Sequence, residues 1–314
     1  MPEITLNGYV TYYEDDCFVE DWRPRQTILI QHGFGRNSQF WRHWVPLLAG
    51  DFRVIRRDLR GHGGSGDIRG PQVPGKGSLG DQSRTNEERA SQTDAKLTAA
   101  EWSFDSLVRD LGDFCDALKL DGVHLLGEST GGMLAVGLGA THPKNLRSIT
   151  LCATPVTINA ASQKFFAAGH ASWQAALLEM GSEGWARWLL AQPGTAPPED
   201  AARQEGLPGP RQGEPGRIDW SIKQFGRSSA QSLAAYSRVI STTDISPLLP
   251  QVRVPALLLA PTRSAATTIA VQERIAASLW QSELIEIDGA GHEIYIDRAK
   301  ECVAAVRAFL EGFG

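Results

Sequence analysis

The 314 residues are 42% hydrophobic and 21% charged, an ordinary globular make-up with length for one large domain or a core with an elaboration. A formal net charge of -5 without any block of lysine and arginine argues against nucleic-acid binding. No apolar run approaches a membrane span, and the opening MPEITLNGYV lacks the basic start and apolar centre of a secretory signal, so a cytoplasmic protein off the membrane is expected. Cys17, Cys115, Cys152 and Cys302 are widely spread and read as reduced thiols. His32 and His292 lack His or Cys partners at ligand spacing, so no structural metal is expected.

In chain order, TILIQHG (27–33) reads as a buried strand running into a turn. RVIRRDLRGHGGSG (53–66) is a second strand with a glycine-rich loop. In 104–120 the apolar residues Phe104, Leu107, Val108, Leu111, Phe114, Cys115 and Leu118 recur at helical spacing. VHLLGE is a strand and GGMLAVGLGATHP a helix closed by Pro143. LRSITLCA (146–153), VPALLLA (254–260), the helix-like IAVQERIAASLW and ELIEI (283–287) continue the alternation, and AKECVAAVRAFLEGF is an amphipathic terminal helix. Strands alternating with helices predict a mostly parallel central sheet flanked by helices.

Two stretches break the alternation. Residues 67–102 are polar and rich in Gly, Ser and Gln, a surface insertion where a few residues would connect strand to helix. Residues 155–245 read as an inserted helical cap carrying Trp173, Trp185, Trp188 and Trp220, interrupted by a Pro/Gly-rich stretch at 192–216. The predicted division is a core of 1–154 and 246–314 with a cap of 155–245.

Gly127-Glu128-Ser129-Thr130-Gly131 places a serine between glycines, a strand before it and a helix after it. That is the context of a nucleophile elbow, where neighbouring side chains would collide on the tight turn. HGFG at 32–35 follows an early strand. The N–H groups of Phe34 and Thr130 are the candidate oxyanion donors. GAGHE (289–293) puts His292 on a glycine-rich loop after the last strand, downstream of the serine as Ser…acid…His order requires.

With these motifs in order, the chain resembles an α/β-hydrolase of the esterase and enol-lactonase type. The resemblance rests on HGFG, RRDLRGHGGSG, GESTGG, TDISPLLPQVRVPALLLA and GAGHEIYIDRAKECVAAVRAFL. It implies an α/β-hydrolase fold with an inserted cap, a mainly architectural role for DLRGHGGS, and chemistry without a cofactor or metal.

The resemblance also implies an acid behind the histidine, and both usual places lack one. The loop 261–268, PTRSAATT, has no carboxylate, nor has ATP at 153–155. Three candidates stand. Glu128 precedes the serine, as in esterases of the cholinesterase kind, and there supports the histidinium; its alternative is a buried structural carboxylate. Asp244 would reach in from the end of the cap, unless it is a helix cap or hinge. Ser264 or Thr262 would accept a hydrogen bond in the acid's place; a hydroxyl holds the tautomer without balancing the cation.

The leading expectation is a cofactor-free serine hydrolase of an ester or lactone. Trp188, Trp185, Trp220 and Trp102, with Phe34 and Trp41, point to an apolar small-molecule substrate, with ordinary packing as the alternative role for at least half of the tryptophans. The runner-up is carbon–carbon cleavage of a ring-fission diketone, and the different-class alternative is a ligand-binding pseudoenzyme. The sequence is compatible with a homo-oligomer.

Overall fold

A computed structural model describes residues 2–66, 102–141, 143–192, 216–264 and 266–313. Most of the predicted insertion 67–102 and of the stretch 192–216 lies outside these residues.

The described strands are β1 (Glu3–Leu6), β2 (Tyr9–Asp16), β3 (Gln26–Gln31), β4 (Phe52–Arg57), β5 (Val123–Glu128), β6 (Leu146–Cys152), β7 (Ala256–Pro261) and β8 (Ser282–Ile287). They form one sheet in the order β1-β2-β4-β3-β5-β6-β7-β8. From β4 to β8 all neighbours are parallel. The antiparallel β1 and β2 extend one edge, and sequence reasoning missed them. Their turn is Asn7-Gly8, both at positive φ, and Asn-Gly between short alternating runs was the available signal.

Helices α1 (Val45–Leu48), α2 (Phe104–Ala117), α3 (Thr130–Thr141), α8 (Ile269–Ser278), α9 (Ile294–Asp297) and α10 (Ala299–Glu311) accompany the sheet. Ser103 and Ser106 close a reciprocal cap at the start of α2. The parallel strands are apolar on both sides, so alternate residues enter different cores. Leu29, Leu125 and Leu258 join α2 and α3, whereas Ile28, Ile30, Leu257 and Leu259 join α1 and α10.

Between β6 and β7 runs a helical insert: α4 (Ala160–Phe166), α5 (Trp173–Leu190), α6 (Arg217–Phe225) and α7 (Ala230–Ser241). Gly181, at φ 73, interrupts α5 with a kink. The two ends of the insert meet in an antiparallel bridge, Thr157 to Asp244. Its inner face shares one apolar core with α2 and α3, through Trp173, Trp185, Phe225 and Tyr236. Among the described residues no helix is long and apolar enough to cross a membrane.

The sheet order has a consequence for function. The chain leaves β3 toward β4 on one side and returns to β5 on the other. At such a reversal the loops from the strand ends diverge and leave a crevice. Here the loops after β3 and β5 open that crevice, and those after β6, β7 and β8 adjoin it.

The loop after β5 turns so tightly that a Cβ at Gly127 would lie 2.5 Å from Gly131 O and 2.6 Å from Gly132 Cα. Backbone cannot move aside as a side chain can. Gly127→Ala should therefore lower stability by about 1–3 kcal/mol or more, read as a fall in the urea midpoint. An unchanged midpoint would mean that the turn is looser than its geometry implies.

Candidate active site

Ser129 stands between the last residue of β5 and the first of α3, with φ 51 in the left-handed region. A non-glycine residue there carries on the order of 1–3 kcal/mol of backbone strain, retained only where the surroundings impose it. Here Ser129 N–H donates to Cys152 O at 2.8 Å, and Gly132 N–H donates to Ser129 O at 2.9 Å. The hydroxyl is thereby held out at the strand-end face.

His292 follows β8 on a loop pinned to its neighbour: Gly289 N–H donates to Thr262 Oγ1 at 2.9 Å, and Arg263 N–H to Ala290 O at 2.9 Å. Its Nε2 lies 3.1 Å from Ser129 Oγ. That is hydrogen-bond reach for moving a proton from the hydroxyl to the ring.

The loop after β3 comes against the same turn. A Cβ on Gly33 would lie 2.8 Å from both Glu128 O and Glu128 Oε2, so only glycine admits the approach. Gly33 N–H donates to Glu128 Oε2 at 2.8 Å. The N–H groups of Phe34 and Thr130 enter no hydrogen bond among the described residues. Both residues adjoin the turn that carries Ser129, Phe34 next to Gly33 and Thr130 next to the serine in the chain. Tyr236 O–H donates to Thr130 Oγ1 at 3.1 Å and so ties α7 of the insert to this corner.

Glu128 is 3% exposed, and its Oε1 lies 3.9 Å from His292 Nε2. It therefore sits beside the nitrogen that faces Ser129, not the one that orients the ring. Burial pushes its carboxyl up to about 7, against the opposing pull of Arg36 and the Gly33 N–H. Burial and the Arg36 cation push His292 down to about 4, with Glu293 acting the other way. When both are charged, unit charges at this separation attract by about 4 kcal/mol at an effective dielectric of about 20.

On its other side, His292 Nδ1 lies 3.4 Å from Ser264 Oγ. Ser264 is buried, and its oxygen accepts from Thr267 N–H at 3.1 Å and lies 3.1 Å from Thr267 Oγ1. Asp244 is not brought to His292. It is exposed, its Oδ1 accepts from Ser246 N–H at 2.8 Å, and its backbone bridges Thr157 where the two ends of the insert meet. Thr262, the other candidate hydroxyl, bonds the 287–289 backbone region instead.

The four tryptophans offered as substrate contacts separate. Trp185 is 1% exposed and its indole N–H donates to Phe166 O, so it is core of the insert, with one edge against Phe34. Trp102 is buried beside Arg60 and Gly61. Trp220 packs on Phe40 and joins the opposite core. Trp188 is half-buried against Phe165 and Trp185. Trp41 is core as well, stacked on Tyr295. The ring that meets the oxyanion loop most closely is Trp173, 4.5 Å from Phe34.

Sequence reasoning missed a buried chain of charges under the site. Arg36 Nη2 lies 2.5 Å from Glu293 Oε1, Arg217 Nη2 lies 2.9 Å from Glu293 Oε2, and Arg217 Nη1 lies 2.9 Å from Asp297 Oδ1. It joins the loop after β3, the histidine loop and α6 of the insert. Nothing in the spacing of these residues announces it, because the partners lie far apart in the chain. The DLRGHGGS motif plays its expected architectural part: Asp58 accepts from Ser38 N–H and Gly64 N–H, and Ser65 Oγ donates to Asp58 O. Among the described residues no group of three or more His, Cys, Asp or Glu side chains could hold a metal ion.

Residues 26–299 match the family model described as the alpha/beta hydrolase fold. The chain belongs to the α/β-hydrolase fold family. It is 21% identical over 312 residues to 3-oxoadipate enol-lactonase 2 of Acinetobacter baylyi, covering 99% of this chain and 95% of that one. It spans less than half the length of two other curated relatives that it matches, 43% and 36%. A hydrolase structure from Pseudomonas aeruginosa PA01 superposes with a TM-score of 0.74 at 22% identity, covering 98% and 97% of the two chains. The enol-lactonase of Burkholderia xenovorans LB400 superposes with a TM-score of 0.71 at 23% identity, covering 99% and 100%. At these identities the structural likenesses speak for the shared fold.

Arg217 supplies both guanidinium arms to buried carboxylates. Arg217→Met leaves Asp297 without its cation and Glu293 with Arg36 alone. It should cost about 3–5 kcal/mol, the penalty for breaking a buried pair from one side. Chemical denaturation measures this, and a loss under about 1 kcal/mol would place the pair in the weak class of solvated surface bridges.

Proposed function

We propose that this α/β-hydrolase is a serine hydrolase that opens an ester or lactone bond in an apolar small molecule, without a cofactor. The observation that carries the reading is the 3.1 Å approach of His292 Nε2 to Ser129 Oγ at a strained strand-to-helix turn. The unpaired N–H groups of Phe34 and Thr130 support it. So does the full-length similarity to proteins named as enol-lactonases.

In this reading Ser129 Oγ attacks the carbonyl carbon while His292 Nε2 takes its proton. The carbonyl oxygen, now an anion, turns to the N–H groups of Phe34 and Thr130. The imidazolium then gives its proton to the leaving oxygen, and an acyl-enzyme remains. In a lactone the leaving hydroxyl stays tethered to the same acyl chain. Water, activated by His292, reverses the sequence and frees the acid. The half-buried Phe34 ring, backed by Trp173, suits a substrate with a hydrocarbon or aromatic acyl part.

Ser129→Ala should abolish labelling by a fluorophosphonate probe and lower kcat for p-nitrophenyl acetate by about a thousandfold or more, with the fold intact. His292→Ala should cost a similar factor, and the double variant no more than either single one, because the two act as a unit. Hydrolysis near wild type in Ser129→Ala overturns the proposal.

The pH dependence has a definite sign. His292, pushed down to about 4, stays neutral and able to accept a proton from pH 5 upward. Glu128, pushed up to about 7, gains its charge as pH rises through neutrality. If that charge steadies the imidazolium, kcat/KM should rise with pH around 7. Glu128→Gln should remove the rise and hold the rate at the low-pH level. A rise that persists unchanged in Glu128→Gln assigns it to another group.

A further inference from the structure

We infer that Ser264 and Thr267 form a two-hydroxyl device that takes the acid's place at His292 Nδ1 and sets which ring nitrogen carries the proton. This deepens the reading of Ser129 and His292 given above and rests on it.

Hydrogen atoms and lone pairs limit which partners Ser264 Oγ can serve at once. A serine hydroxyl has one hydrogen and two acceptor sites. Three groups converge on Ser264 Oγ: Thr267 N–H at 3.1 Å, Thr267 Oγ1 at 3.1 Å and His292 Nδ1 at 3.4 Å. The backbone N–H can only donate, so it takes one acceptor site permanently. The other acceptor site and the single hydrogen must be shared between the threonine hydroxyl and the imidazole.

Two arrangements exhaust the choice. If Thr267 O–H donates to Ser264, the serine hydrogen goes to Nδ1. The ring proton then sits on Nε2, which cannot accept the proton of Ser129. If Ser264 O–H donates to Thr267 Oγ1 instead, the free acceptor site receives Nδ1–H. Nε2 then presents its lone pair to Ser129 Oγ, 3.1 Å away. Only the second arrangement supports the chemistry. A carboxylate has no hydrogen to donate and would enforce it outright, whereas the hydroxyl pair leaves both open.

Ser264 and Thr267 are buried, at 6% and 0% exposure, so solvent does not readily replace either partner. Both are positioning residues: neither touches the reacting atoms, and neither carries charge. The cation made when Ser129 gives up its proton is met from the other side, by Glu128 Oε1 at 3.9 Å from Nε2. The other charges nearby are Arg36, from the loop after β3, and Glu293, beside the histidine and held by Arg36 and Arg217. Orientation and charge balance, which one carboxylate usually supplies together, are thus divided between two sides of the ring.

The test uses the full chain and the second-order rate of fluorophosphonate labelling at Ser129, together with 15N shifts of the His292 ring. Thr267→Val keeps the backbone N–H but deletes the hydrogen acceptor, which should shift the ring toward Nε2–H and slow labelling by about tenfold or more. Thr267→Ser restores the hydroxyl and should return both readouts to within about threefold of wild type. A merely structural role for Thr267 would leave the ring tautomer unmoved in Thr267→Val. Ser264→Asp should fix Nδ1–H, raise the His292 pKa and speed labelling by about tenfold or more. Wild-type tautomer and rate in Thr267→Val, or a slower Ser264→Asp with the fold intact, overturns the inference. If wild type is not labelled at Ser129 at all, the serine-hydrolase reading has failed. The ring shifts of Thr267→Val and Thr267→Ser then decide the inference by themselves: a tautomer that shifts in one and returns in the other supports it, and no shift overturns it.

Discussion

Ser129 is held in a left-handed backbone conformation where β5 meets α3, and the surrounding architecture depends on that turn. Gly127 lies where a side chain would run into the backbone of Gly131 and Gly132, and Gly33 lies where one would run into Glu128. Because both are glycines, the loop after β3 can close on the loop after β5. The closure is sealed by the hydrogen bond from Gly33 N–H to Glu128 Oε2 at 2.8 Å. The strain at Ser129 is tolerated because its N–H and C=O are both engaged. This matches the general expectation that strained residues persist where packing over-determines them and chemistry benefits.

The electrostatics around His292 differ from those of a ring backed by a carboxylate. The nearest acidic group, Glu128, faces Nε2 and is itself raised toward neutrality by burial. Arg36 lowers both the carboxyl and the imidazole. Yet Arg36 is tied to Glu293, which is shared with Arg217 from the insert. The insert therefore does more than cover the crevice. Through Arg217 and Tyr236 it touches the charge chain beneath the histidine and the helix start beside the serine. A displacement of α6 or α7 would be felt at both the Ser129 turn and the His292 loop, since buried networks of this kind have few alternative partners.

On the reading proposed above, a ring steadied by hydroxyls and flanked by a carboxyl that burial raises toward neutrality is a weaker base system than a charge-backed one. On that reading it would suit reactions whose leaving group departs readily, such as opening of an activated ester or a strained lactone. Phe34, half-buried, is backed by the buried Trp173 ring at 4.5 Å.

By itself the sequence determined the alternation of strands and helices, and with it the parallel sheet. A strand buried on both faces must be apolar throughout, and a covering helix must repeat its apolar residues at helical spacing; both patterns are local. It also singled out Ser129, His292 and the 32–35 loop as candidates, because each sits on a glycine-rich turn at a strand end, and steric crowding there admits few residues. Other features only the tertiary structure decided. Which side of the imidazole Glu128 would face depends on how β3, β5 and the histidine loop meet. That Asp244 caps a turn at Ser246 depends on where the insert re-enters the sheet. That Trp102, Trp173 and Trp185 are core, the last two against Phe34, depends on how helices of the insert pack, which composition does not encode. The absence of a carboxylate in 261–268 was plain from the residues. Which of the candidates Glu128, Asp244, Thr262 and Ser264 lies at Nδ1 was not, because Ser264 and His292 are 28 residues apart and meet only where the loops after β7 and β8 come together.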